Sequence, residues 1–425
     1  MSQITKTILA EWQTRNLPKL VKRDFILDIE KNNIVRNATV ITGFRRVGKT
    51  YVVFEAVERL LKKYSKNDVV YINFEDERLV NSGTEILTGL IPDLISVFGK
   101  KPKFLFLDEI QIVPNWSKWV RRMLDSEDIE IVITGSSSKM GSNELPTELR
   151  GRAWEIKIEP LNFEEFVRFK NESQEDSKFK YLFNEFLKFG GLPAVVLTEE
   201  DKKLELLQLY FSTVVQREIL DRYKINNKNA LRILLKFLLN SNYITVSRLF
   251  NNLKSMGLSV GKTTIDKYIN YIKSSYFMSE LNLFNYKVIN QLMYPRKNYF
   301  VDNGFITSLS TKFSTNYGRL FENSVYQKLI QRNSDIYYWK DNKDREVDFV
   351  AINGNEVKSL YQACYDITDP ETLQREIKSL LRAKKVLKCD NLNLIVFEND
   401  NDLKEIKGVN IISALDFFVS PNSPL

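Results

Sequence analysis

GFRRVGKT, residues 43–50, carries the strongest structural signal in this chain. It fits the pattern GxxxxGK[ST], in which the backbone amides of a glycine-rich loop surround the phosphates of a nucleotide. The apolar run NATVITGF, residues 37–44, leads into it, and the amphipathic run YVVFEAVERLLKKY follows at residues 51–64. The sequence therefore predicts a strand, a phosphate-binding loop and a helix whose positive dipole end faces the anion.

Two residues of this loop and two later acids have specific predicted roles. Lys49 is expected to contact the β- and γ-phosphates, and Thr50 is expected to bind magnesium. In KFLFLDEIQIV, residues 103–113, a buried strand ends in two acids, of which Asp108 would orient the magnesium and Glu109 would polarise the attacking water. The structural alternatives are a basic loop that caps a helix and a strand that ends in a solvated acidic turn. The predicted nucleotide-binding residues are Gly43, Arg45, Arg46, Val47, Gly48, Lys49, Thr50 and Asp108, and the predicted cofactors are ATP and Mg²⁺.

Another apolar strand with a polar end follows the acidic strand. In EIVITGSSS, residues 130–138, Thr134 and Ser136 are placed to sense the γ-phosphate. Ser136 is therefore included among the predicted catalytic residues.

LRGRAWEIKIEPLNFEEF, residues 149–166, begins with two arginines one residue apart. A guanidinium presented to the γ-phosphate of a neighbouring subunit is an arginine finger, and Arg152 is the favoured candidate. This predicts a homo-oligomer in which the arginine is supplied in trans. The alternative is that both arginines pair with acids on the same surface, such as Glu148 or Glu155.

Composition limits the chemistry that the chain can carry out. The 425 residues indicate two or three domains, and the absence of histidine excludes histidine catalysis and histidine-bound zinc. Any metal must be held by oxygen ligands, as magnesium is. The net charge of +8 favours an anionic partner, for which nucleic acid, DNA above all, is the prediction. Two cysteines and the lack of a long apolar run predict a cytoplasmic protein without a membrane partner.

Residues 229–274 show three amphipathic stretches joined by short turns, and the following FMSELNLFNY and KNYFVDNGF are typical of strands. This order predicts a winged helix-turn-helix. GKTTIDKYINYIKSSY, residues 261–276, would be its recognition helix, with a buried stripe of Ile265, Tyr268, Ile269 and Ile272. Winged helices also serve as packing or lid modules, so direct DNA contact is a separate hypothesis. The residues predicted to contact DNA are Lys262, Thr263, Thr264, Lys267 and Lys273.

The stretch EVDFVAINGNEVK, residues 346–358, comes after the helical pattern FENSVYQKLIQR at residues 321–332. A helix acid, a strand aspartate and a Glu-x-Lys pair form the PD-(D/E)xK arrangement, in which oxygen ligands hold magnesium and the lysine steadies the attacking water or the phosphate. Strand alternation and the Asn-Gly-Asn turn are expected to bring these groups together. The alternative is an edge hairpin with a cross-strand ion pair, and a retained fold does not imply retained cleavage. The predicted metal ligands are Glu322, Asp348 and Glu356, the predicted catalytic lysine is Lys358, and Glu346 is expected to be a bystander.

Six segments together resemble a known family: GFRRVGKT, YINFEDERL (residues 71–79), FLFLDEIQ, ITGSSS, LRGRAWEIKIEPLNFEEF and FGGLPAVV (residues 189–196). The chain looks like the AAA-type ATPases of archaea and bacteria that have a DUF4143 C-terminal region. The resemblance implies a multidomain α/β protein with an ASCE-type P-loop core, a helical and winged-helix portion, and a restriction-endonuclease-like domain. The corresponding domains are expected at residues 1–165, 166–310 and 311–425.

The expected function is magnesium-dependent ATP binding and hydrolysis coupled to DNA binding, with Glu109, Arg152, Ser136 and Lys358 as the catalytic residues. Metal-dependent DNA cleavage by the C-terminal domain is a further hypothesis. The alternative is a slowly hydrolysing nucleotide switch whose C-terminal domain binds protein or nucleic acid without cutting it.

Overall fold

The computed structural model of the chain divides into two compact units. The first contains Met1–Glu159 and Ser274–Tyr276, and the second contains Pro160–Lys273 and Phe277–Leu425. The expected domain boundaries near residues 165 and 310 remain predictions. The residues that the structure describes are 2–30, 36–79, 83–135, 149–172, 176–309, 316–331, 335–398 and 404–419.

The first unit is built on a parallel five-stranded sheet. Its strands are β1 (Ala38–Thr42), β2 (Val69–Asn73), β3 (Phe104–Asp108), β4 (Glu130–Thr134) and β5 (Ala153–Lys157), and its helices are α1 (Ser2–Thr14), α2 (Lys49–Leu60), α3 (Glu85–Phe98) and α4 (Trp116–Ser126), with short 3₁₀ turns at Glu77–Leu79 and Ile110–Ile112. The strand order is β2-β3-β4-β1-β5. Strands β1 to β4 are mostly buried, as continuous apolar runs in a parallel sheet require, whereas the edge strand β5 is partly exposed.

The strand order brings the nucleotide motifs together. Strand β4 lies between β1, which leads into the glycine-rich loop, and β3, which ends at Asp108. One strand inserted between these two is the ASCE arrangement that the family resemblance implies. Because parallel strands end at the same edge of a sheet, the loop and the acids are neighbours in space. The predicted α/β P-loop core is confirmed.

Helix α1 packs against α3 and β2. The Trp12 indole N–H donates to the carbonyl oxygen of Val69 at 2.9 Å, and its ring centroid lies 5.8 Å from that of Tyr71. The N-terminal helix therefore supports the strand that carries Tyr71, a residue of the site described below.

The second unit begins with a helical region that carries a small antiparallel sheet. Its helices are α5 (Phe163–Phe169), α6 (Asp176–Phe189), α7 (Pro193–Val196), α8 (Glu200–Val214), α9 (Lys228–Leu239), α10 (Val246–Ser255), α11 (Lys262–Ser274), α12 (Val288–Met293) and α13 (Asn303–Leu309), and its strands are β6 (Tyr243–Ile244), β7 (Met278–Leu281) and β8 (Arg296–Phe300). A π-helical turn, Val215–Leu220, follows α8. The strand order is β6-β8-β7. The assignment of α9 to β8 as a winged helix stays a prediction.

A six-stranded mixed sheet completes the second unit. The elements are α14 (Tyr317–Gln331), β9 (Asp335–Lys340), β10 (Glu346–Asn353), β11 (Glu356–Cys364), α15 (Pro370–Leu387), β12 (Leu392–Val396), β13 (Glu405–Ile406), β14 (Val409–Ser413) and α16 (Ala414–Val419). The strand order is β13-β14-β12-β11-β10-β9. Strands β9, β10 and β11 form an antiparallel meander, whereas β11, β12 and β14 are parallel.

The two faces of this sheet carry different cores. Val350 and Leu360 lie in an apolar cluster with Leu380 of α15. Their strand neighbours point to the opposite face, where the Phe349 ring centroid lies 6.2 Å from that of Tyr326 on α14. Helices α14 and α15 therefore cover opposite faces.

Across the part of the chain that the structure describes, we find no helix with both the length and the apolar composition needed to span a bilayer.

A buried carboxylate holds the turn at Gly190 and Gly191. The N–H of Gly191 donates to Asp302 Oδ2 at 2.7 Å, and the N–H of Gly304 donates to Oδ1 at 2.8 Å. Gly190 has φ +76°, and a Cβ there would lie 1.8 Å from Asp302 Oδ1, so the turn requires glycine. Burial raises the pKa of Asp302 to about 6 against the lowering effect of these backbone donors.

We predict that Asp302 makes the second unit less stable as pH rises. Its pKa is raised from 3.8 to about 6 on folding, so between these values the folded chain keeps a proton that the unfolded chain has lost. The free energy of unfolding should fall by about 3 kcal/mol across this window because of this group alone. Relative to Asp302→Asn, which cannot titrate, the wild type should lose this stability in urea unfolding measured from about pH 4 to about pH 7.

A matched control removes a carboxylate that is exposed. Asp201→Asn on α8 should show the same pH profile as the wild type. A stability difference between the wild type and Asp302→Asn that stays constant with pH would contradict the prediction.

Candidate functional site

The loop between β1 and α2 depends on two glycines with positive φ. Gly43 has φ +137°, and a Cβ there would lie 2.3 Å from the carbonyl oxygen of Ile158. Gly48 has φ +95° and directly precedes α2. The loop can therefore curl at the start of the helix, where backbone amides and the helix dipole favour a phosphate.

The Lys49 side chain is held inside this loop. It is only 6% exposed, and its ammonium donates to the carbonyl oxygens of Gly43 at 3.1 Å and Phe44 at 3.0 Å. Of the other predicted loop residues, Arg46 is exposed and Arg45 pairs with Glu75 at 3.5 Å. The Val47 side chain is buried in the core, so Val47 can serve a nucleotide only through its backbone.

Asp108 is the centre of the acidic side of the site. It is 4% exposed and accepts hydrogen bonds on both oxygens. The hydroxyls of Thr50 and Tyr71 donate to Oδ2 at 3.0 and 2.6 Å, and the hydroxyl of Thr134 donates to Oδ1. The predicted pair of Thr50 and Asp108 is thus brought together. The Thr134 hydroxyl, which was expected to sense the γ-phosphate, here donates to Asp108.

Sequence reasoning did not assign a role to Tyr71. The signal was a tyrosine inside the otherwise apolar strand VVYIN, since a buried hydroxyl needs a hydrogen-bond partner. Burial, with the charge of Asp108, raises the pKa of Tyr71, so it remains a donor.

Glu109 is held in an unusual backbone conformation beside Asp108. Its φ is +55°, which is rare for a residue other than glycine, and its N–H donates to the carbonyl oxygen of Thr134 at 3.1 Å. The Gln111 side-chain amide donates to its carboxylate. Burial raises the pKa of Glu109, although Lys49 acts in the opposite direction. Strained backbone of this kind clusters at active sites, which agrees with the catalytic role predicted for Glu109. Ser136 lies outside the described residues.

The chemistry of this site suits magnesium. The Thr50 hydroxyl and the Asp108 carboxylate are hard oxygen ligands, and they lie within hydrogen-bond distance of each other at the end of the phosphate-binding loop. These two residues would hold the ion, and the nucleotide phosphates would supply further oxygens.

Arg152 lies at the other edge of the same sheet. It directly precedes β5, and the N–H of Ala38 at the start of β1 donates to its carbonyl oxygen at 3.0 Å. The glycine-rich loop follows the opposite end of β1, so Arg152 is about 15 Å from it along the strand. Its guanidinium pairs with Asp125 rather than with Glu155, and Glu148 lies outside the described residues. Arg152 therefore cannot serve the nucleotide site of its own chain in this structure.

The predicted DNA-contact residues lie on α11. Lys262, Thr263 and Lys267 are exposed, and Thr264 is half-buried. Lys273 pairs with Glu280 at 2.5 Å. The predicted buried stripe is confirmed at Ile265, Tyr268, Ile269 and Ile272.

A second polar cluster surrounds a lysine that sequence reasoning missed. Lys297 on β8 is 2% exposed, and its Nζ lies 2.8 Å from Asp348 Oδ1, 3.0 Å from Glu322 Oε1 and 2.6 Å from Glu346 Oε1. The Tyr299 hydroxyl donates to Glu322 Oε1 at 2.6 Å. Glu322 and Asp348 thus lie in one cluster, as predicted, but Glu346 is a member of it and not a bystander.

The predicted convergence of Glu356 and Lys358 on Asp348 is wrong. Glu356 pairs with Asn353 at the hairpin turn, so Asp348 is about 17 Å away along the strand. The position beside Asp348 is taken by Gln362, whose Oε1 accepts from the N–H of Asp348 at 3.2 Å. Glu356 and Lys358 are exposed and pair with each other along β11, which differs from the cross-strand pair of the edge-hairpin alternative.

The electrostatics of the cluster follow from burial and like charge. Burial, together with Glu322 and Glu346, raises the pKa of Asp348 to about 7 although Lys297 lowers it. Burial also acts to raise the pKa of Glu322, but Lys297 and Tyr299 outweigh it and hold that pKa below its ordinary value.

These carboxylates do not fit the divalent ion that a PD-(D/E)xK site needs. The Lys297 ammonium already lies within 3.0 Å of an oxygen from each of them. Counting only residues with described positions, no group of three or more acidic or cysteine side chains is arranged to hold a metal. The predicted metal site of Glu322, Asp348 and Glu356 is therefore not assembled in this structure.

Comparison with known proteins supports the family resemblance. An AAA domain matches residues 35–167, a domain of unknown function (DUF8612) matches residues 180–316, and a domain of unknown function (DUF4143) matches residues 317–416. The uncharacterized protein MJ1544 of Methanocaldococcus jannaschii is 38% identical over 423 residues, which cover 95% of this chain and 92% of that protein. An uncharacterized protein of Haemophilus influenzae is 30% identical over 387 residues, which cover 89% of this chain and 94% of that protein. Among solved structures, the Walker-type ATPase PABY2304 of Pyrococcus abyssi matches with a TM-score of 0.46 and 15% identity, covering 69% of this chain and 99% of that chain.

The AAA-domain match and the geometry of the loop with its two acids define the class of protein: it is an AAA-type P-loop ATPase. More narrowly, the chain belongs to the family of such ATPases with a DUF4143 C-terminal region, together with MJ1544.

We predict that Tyr71→Phe weakens the use of magnesium in ATP hydrolysis. The change removes a hydroxyl that orients Asp108. A hydrogen bond to a charged group contributes about 1.5–3 kcal/mol, so turnover at limiting Mg²⁺ should fall about 10-fold or more. Turnover should recover in part as Mg²⁺ is raised in a steady-state ATPase assay.

The matched control is Tyr64→Phe, which removes a hydroxyl that donates to the surface carboxylate of Glu30 in the same unit. It should hydrolyse ATP as the wild type does. An equal loss of turnover in Tyr71→Phe at every Mg²⁺ concentration would rule out a role in orienting Asp108.

Proposed function

We propose that this ATPase is a nucleotide-controlled switch that engages nucleic acid, DNA in the first instance, and does not cut it. The observation that supports the proposal is the Thr50–Asp108 hydrogen bond of 3.0 Å beside Glu109, because two hard oxygen groups and a second acid then lie at the end of the phosphate-binding loop. The domain division at residues 165 and 310 belongs to this proposal.

Each residue of the nucleotide site has a defined task. Lys49 neutralises charge on the β- and γ-phosphates, and Thr50 and Asp108 hold magnesium, which supplies electrostatic stabilisation of the phosphoryl group when bound. Glu109 orients the attacking water and accepts its proton. Burial raises the pKa of Glu109, which makes its carboxylate a better base. Ser136 is proposed to assist at the γ-phosphate.

Arg152 is proposed to complete the site of a neighbouring subunit. It lies at the sheet edge opposite its own loop, and its guanidinium is partly exposed and bonded to Asp125. A guanidinium delivered across a subunit boundary stabilises transition-state charge on the γ-phosphate. This makes hydrolysis depend on a homo-oligomer.

The exposed face of α11 is the proposed nucleic-acid surface. Lys262, Thr263 and Lys267 are exposed there, while the opposite stripe packs into the unit. The chain has a net charge of +8, which raises the local concentration of phosphate polyanions. The elements from α9 to β8 would act as a winged helix with α11 at the backbone of the nucleic acid.

The proposed function does not include cleavage, because the second cluster does not bring the predicted nuclease residues together. Lys358 and Glu356 lie at the hairpin turn, and Lys297 is paired with the remaining carboxylates. This arrangement favours the hypothesis that the C-terminal domain binds protein or nucleic acid without cutting it.

We predict that Glu109→Gln and Arg152→Ala each bind ATP and hydrolyse it at least about 100-fold more slowly, since one loses the base and the other the transition-state charge. If Arg152 acts in trans, mixing the two variants should restore part of the activity, because an intact Glu109 then meets an intact Arg152. ATP binding by fluorescence titration and phosphate release provide the measurements.

Arg121→Ala is the control for the arginine, since it removes an exposed guanidinium near Asp125. It should hydrolyse ATP as the wild type does. Unchanged turnover in Glu109→Gln would overturn its assignment, and mixed variants without recovered activity would overturn supply of the arginine in trans.

We predict that Lys262→Glu/Lys267→Glu weakens DNA binding through lost phosphate contacts. The slope of log affinity against log salt should decrease by about two, one for each contact. Fluorescence anisotropy with labelled duplex DNA at several salt concentrations measures it. ATP hydrolysis without DNA should be unchanged.

A charge-matched control separates contact from overall charge. Lys202→Glu/Lys224→Glu changes the net charge equally at two exposed positions outside α11. If both double variants lose the same affinity, the α11 face is not the specific surface.

A further inference from the structure

Lys297 lies where three carboxylates from two neighbouring elements converge. Glu322 is on α14, and Glu346 and Asp348 are on β10, whereas Lys297 comes from β8 of the small sheet. Two of these acids occupy the helix and strand positions at which a PD-(D/E)xK site holds its divalent ion. The cluster therefore resembles a metal site with a lysine at its centre.

We propose that the Lys297 ammonium is the resident cation of this carboxylate cluster and takes the place that a divalent metal has in nuclease-like sites. The proposal goes beyond the ATPase function and is independent of it. The cluster then stabilises the structure of the second unit and takes no part in phosphodiester cleavage.

The contacts of Lys297 Nζ are those of an ammonium. It donates to Asp348 Oδ1 at 2.8 Å and to Glu322 Oε1 at 3.0 Å, and it forms an ion pair with Glu346 Oε1 at 2.6 Å. These are lengths of charge-assisted hydrogen bonds, whereas magnesium requires oxygen ligands at about 2.0–2.1 Å in octahedral geometry. The carboxylates are thus spaced for the ion that is present.

Burial makes the pairing mandatory. Lys297 is 2% exposed and Asp348 is 7% exposed, and an unpaired charge at such depth is strongly unfavourable. The carboxylates and Tyr299 outweigh burial and raise the pKa of Lys297 above its ordinary value, so it stays charged. Removing Lys297 would leave the three carboxylates without a compensating charge.

The neighbouring strand supports the same assignment. Strand β11 offers the amide of Gln362 beside Asp348, where the nuclease pattern needs a carboxylate. The N–H of Ala363 donates to Asp348 Oδ2 at 3.1 Å, so the second oxygen of Asp348 is also engaged. The Asp348 carboxylate is thus held on one oxygen by the Lys297 ammonium and on the other by a backbone N–H.

The lysine also ties the small sheet to the six-stranded sheet. The Tyr243 hydroxyl on β6 donates to Glu346 on β10. Just after β7, the N–H of Phe284 donates to the carbonyl oxygen of Tyr338 on β9 at 2.6 Å. Lys297 on β8 adds ion pairs to Glu346 and Asp348 on β10. The Lys297 ammonium therefore links the two sheets permanently, whereas an exchangeable metal would link them only when bound.

Manganese binding to the full-length chain without nucleotide tests the proposal, with electron paramagnetic resonance to count bound Mn²⁺. The wild type and Asp348→Asn should bind the same amount, since the cluster takes no metal. Lys297→Ala should gain one Mn²⁺ per chain, because it leaves the carboxylates without a cation. Lys297→Ala/Asp348→Asn should lose that gain.

Two outcomes would overturn the proposal. The first is that the wild type binds Mn²⁺ and that Asp348→Asn abolishes this binding. This comparison does not use a Lys297 variant, so it decides the question even if Lys297→Ala does not fold. The other is a folded Lys297→Ala chain, verified by circular dichroism, that gains no Mn²⁺. Neither result depends on ATP hydrolysis, so the ATPase assignment is tested separately.

Discussion

A buried carboxylate needs hydrogen-bonding or charged partners, and each unit of this chain is organised around one buried carboxylate with such partners. In the first unit Asp108 ends the buried strand β3, and in the second unit Asp348 lies within β10. Both are nearly inaccessible to water, so every oxygen needs a partner supplied by the fold. The partners differ in charge, and that difference separates the two sites.

Asp108 is satisfied by neutral donors. Thr50, Tyr71 and Thr134 give it hydroxyl hydrogen bonds, which orient the carboxylate but leave its negative charge uncompensated. A magnesium ion brought by a nucleotide can therefore gain electrostatic energy there. Asp348 instead accepts from the ammonium of Lys297, which it shares with Glu322 and Glu346, so a cation from within the chain already lies at this carboxylate. The same residue type thus has only neutral donors in one unit and a built-in cation in the other.

The first site was predictable because its signals are local. GFRRVGKT places Lys49 and Thr50 by chain continuity alone, and the acid pair needs only a strand that ends beside the loop. Tyr71 was not assigned, because its contact with Asp108 depends on which strands are neighbours. The helix stripe of α11 was also predictable, since helical periodicity alone determines it.

The second site depends on contacts that periodicity does not encode. Glu346 and Asp348 both reach Lys297, as alternation predicts, but the register shifts in both pairings of β10, and pairing that starts at the turn moves Glu356 away from Asp348. Lys297 is 51 residues before Asp348, and its pattern in RKNYF is that of an ordinary strand lysine. The available clue was that Lys297 alternates with Tyr299 along β8, so that both side chains point to the same face of the strand. A lysine on the inward side of a strand needs buried acids, and only the three-dimensional structure identifies them.

The contrast also bears on how the DUF4143 region is interpreted. Its sequence retains the helix acid Glu322 and the strand acid Asp348, so a pattern search alone would favour nuclease chemistry. The same acids are equally suited to hold an ammonium, because carboxylates accept from any cationic donor. What distinguishes the two roles is the cation that the surrounding strands supply, and here β8 supplies Lys297 from within the chain. The positions of the acids alone therefore do not define a metal site. The nearest basic side chain determines whether the carboxylates are available to a metal ion.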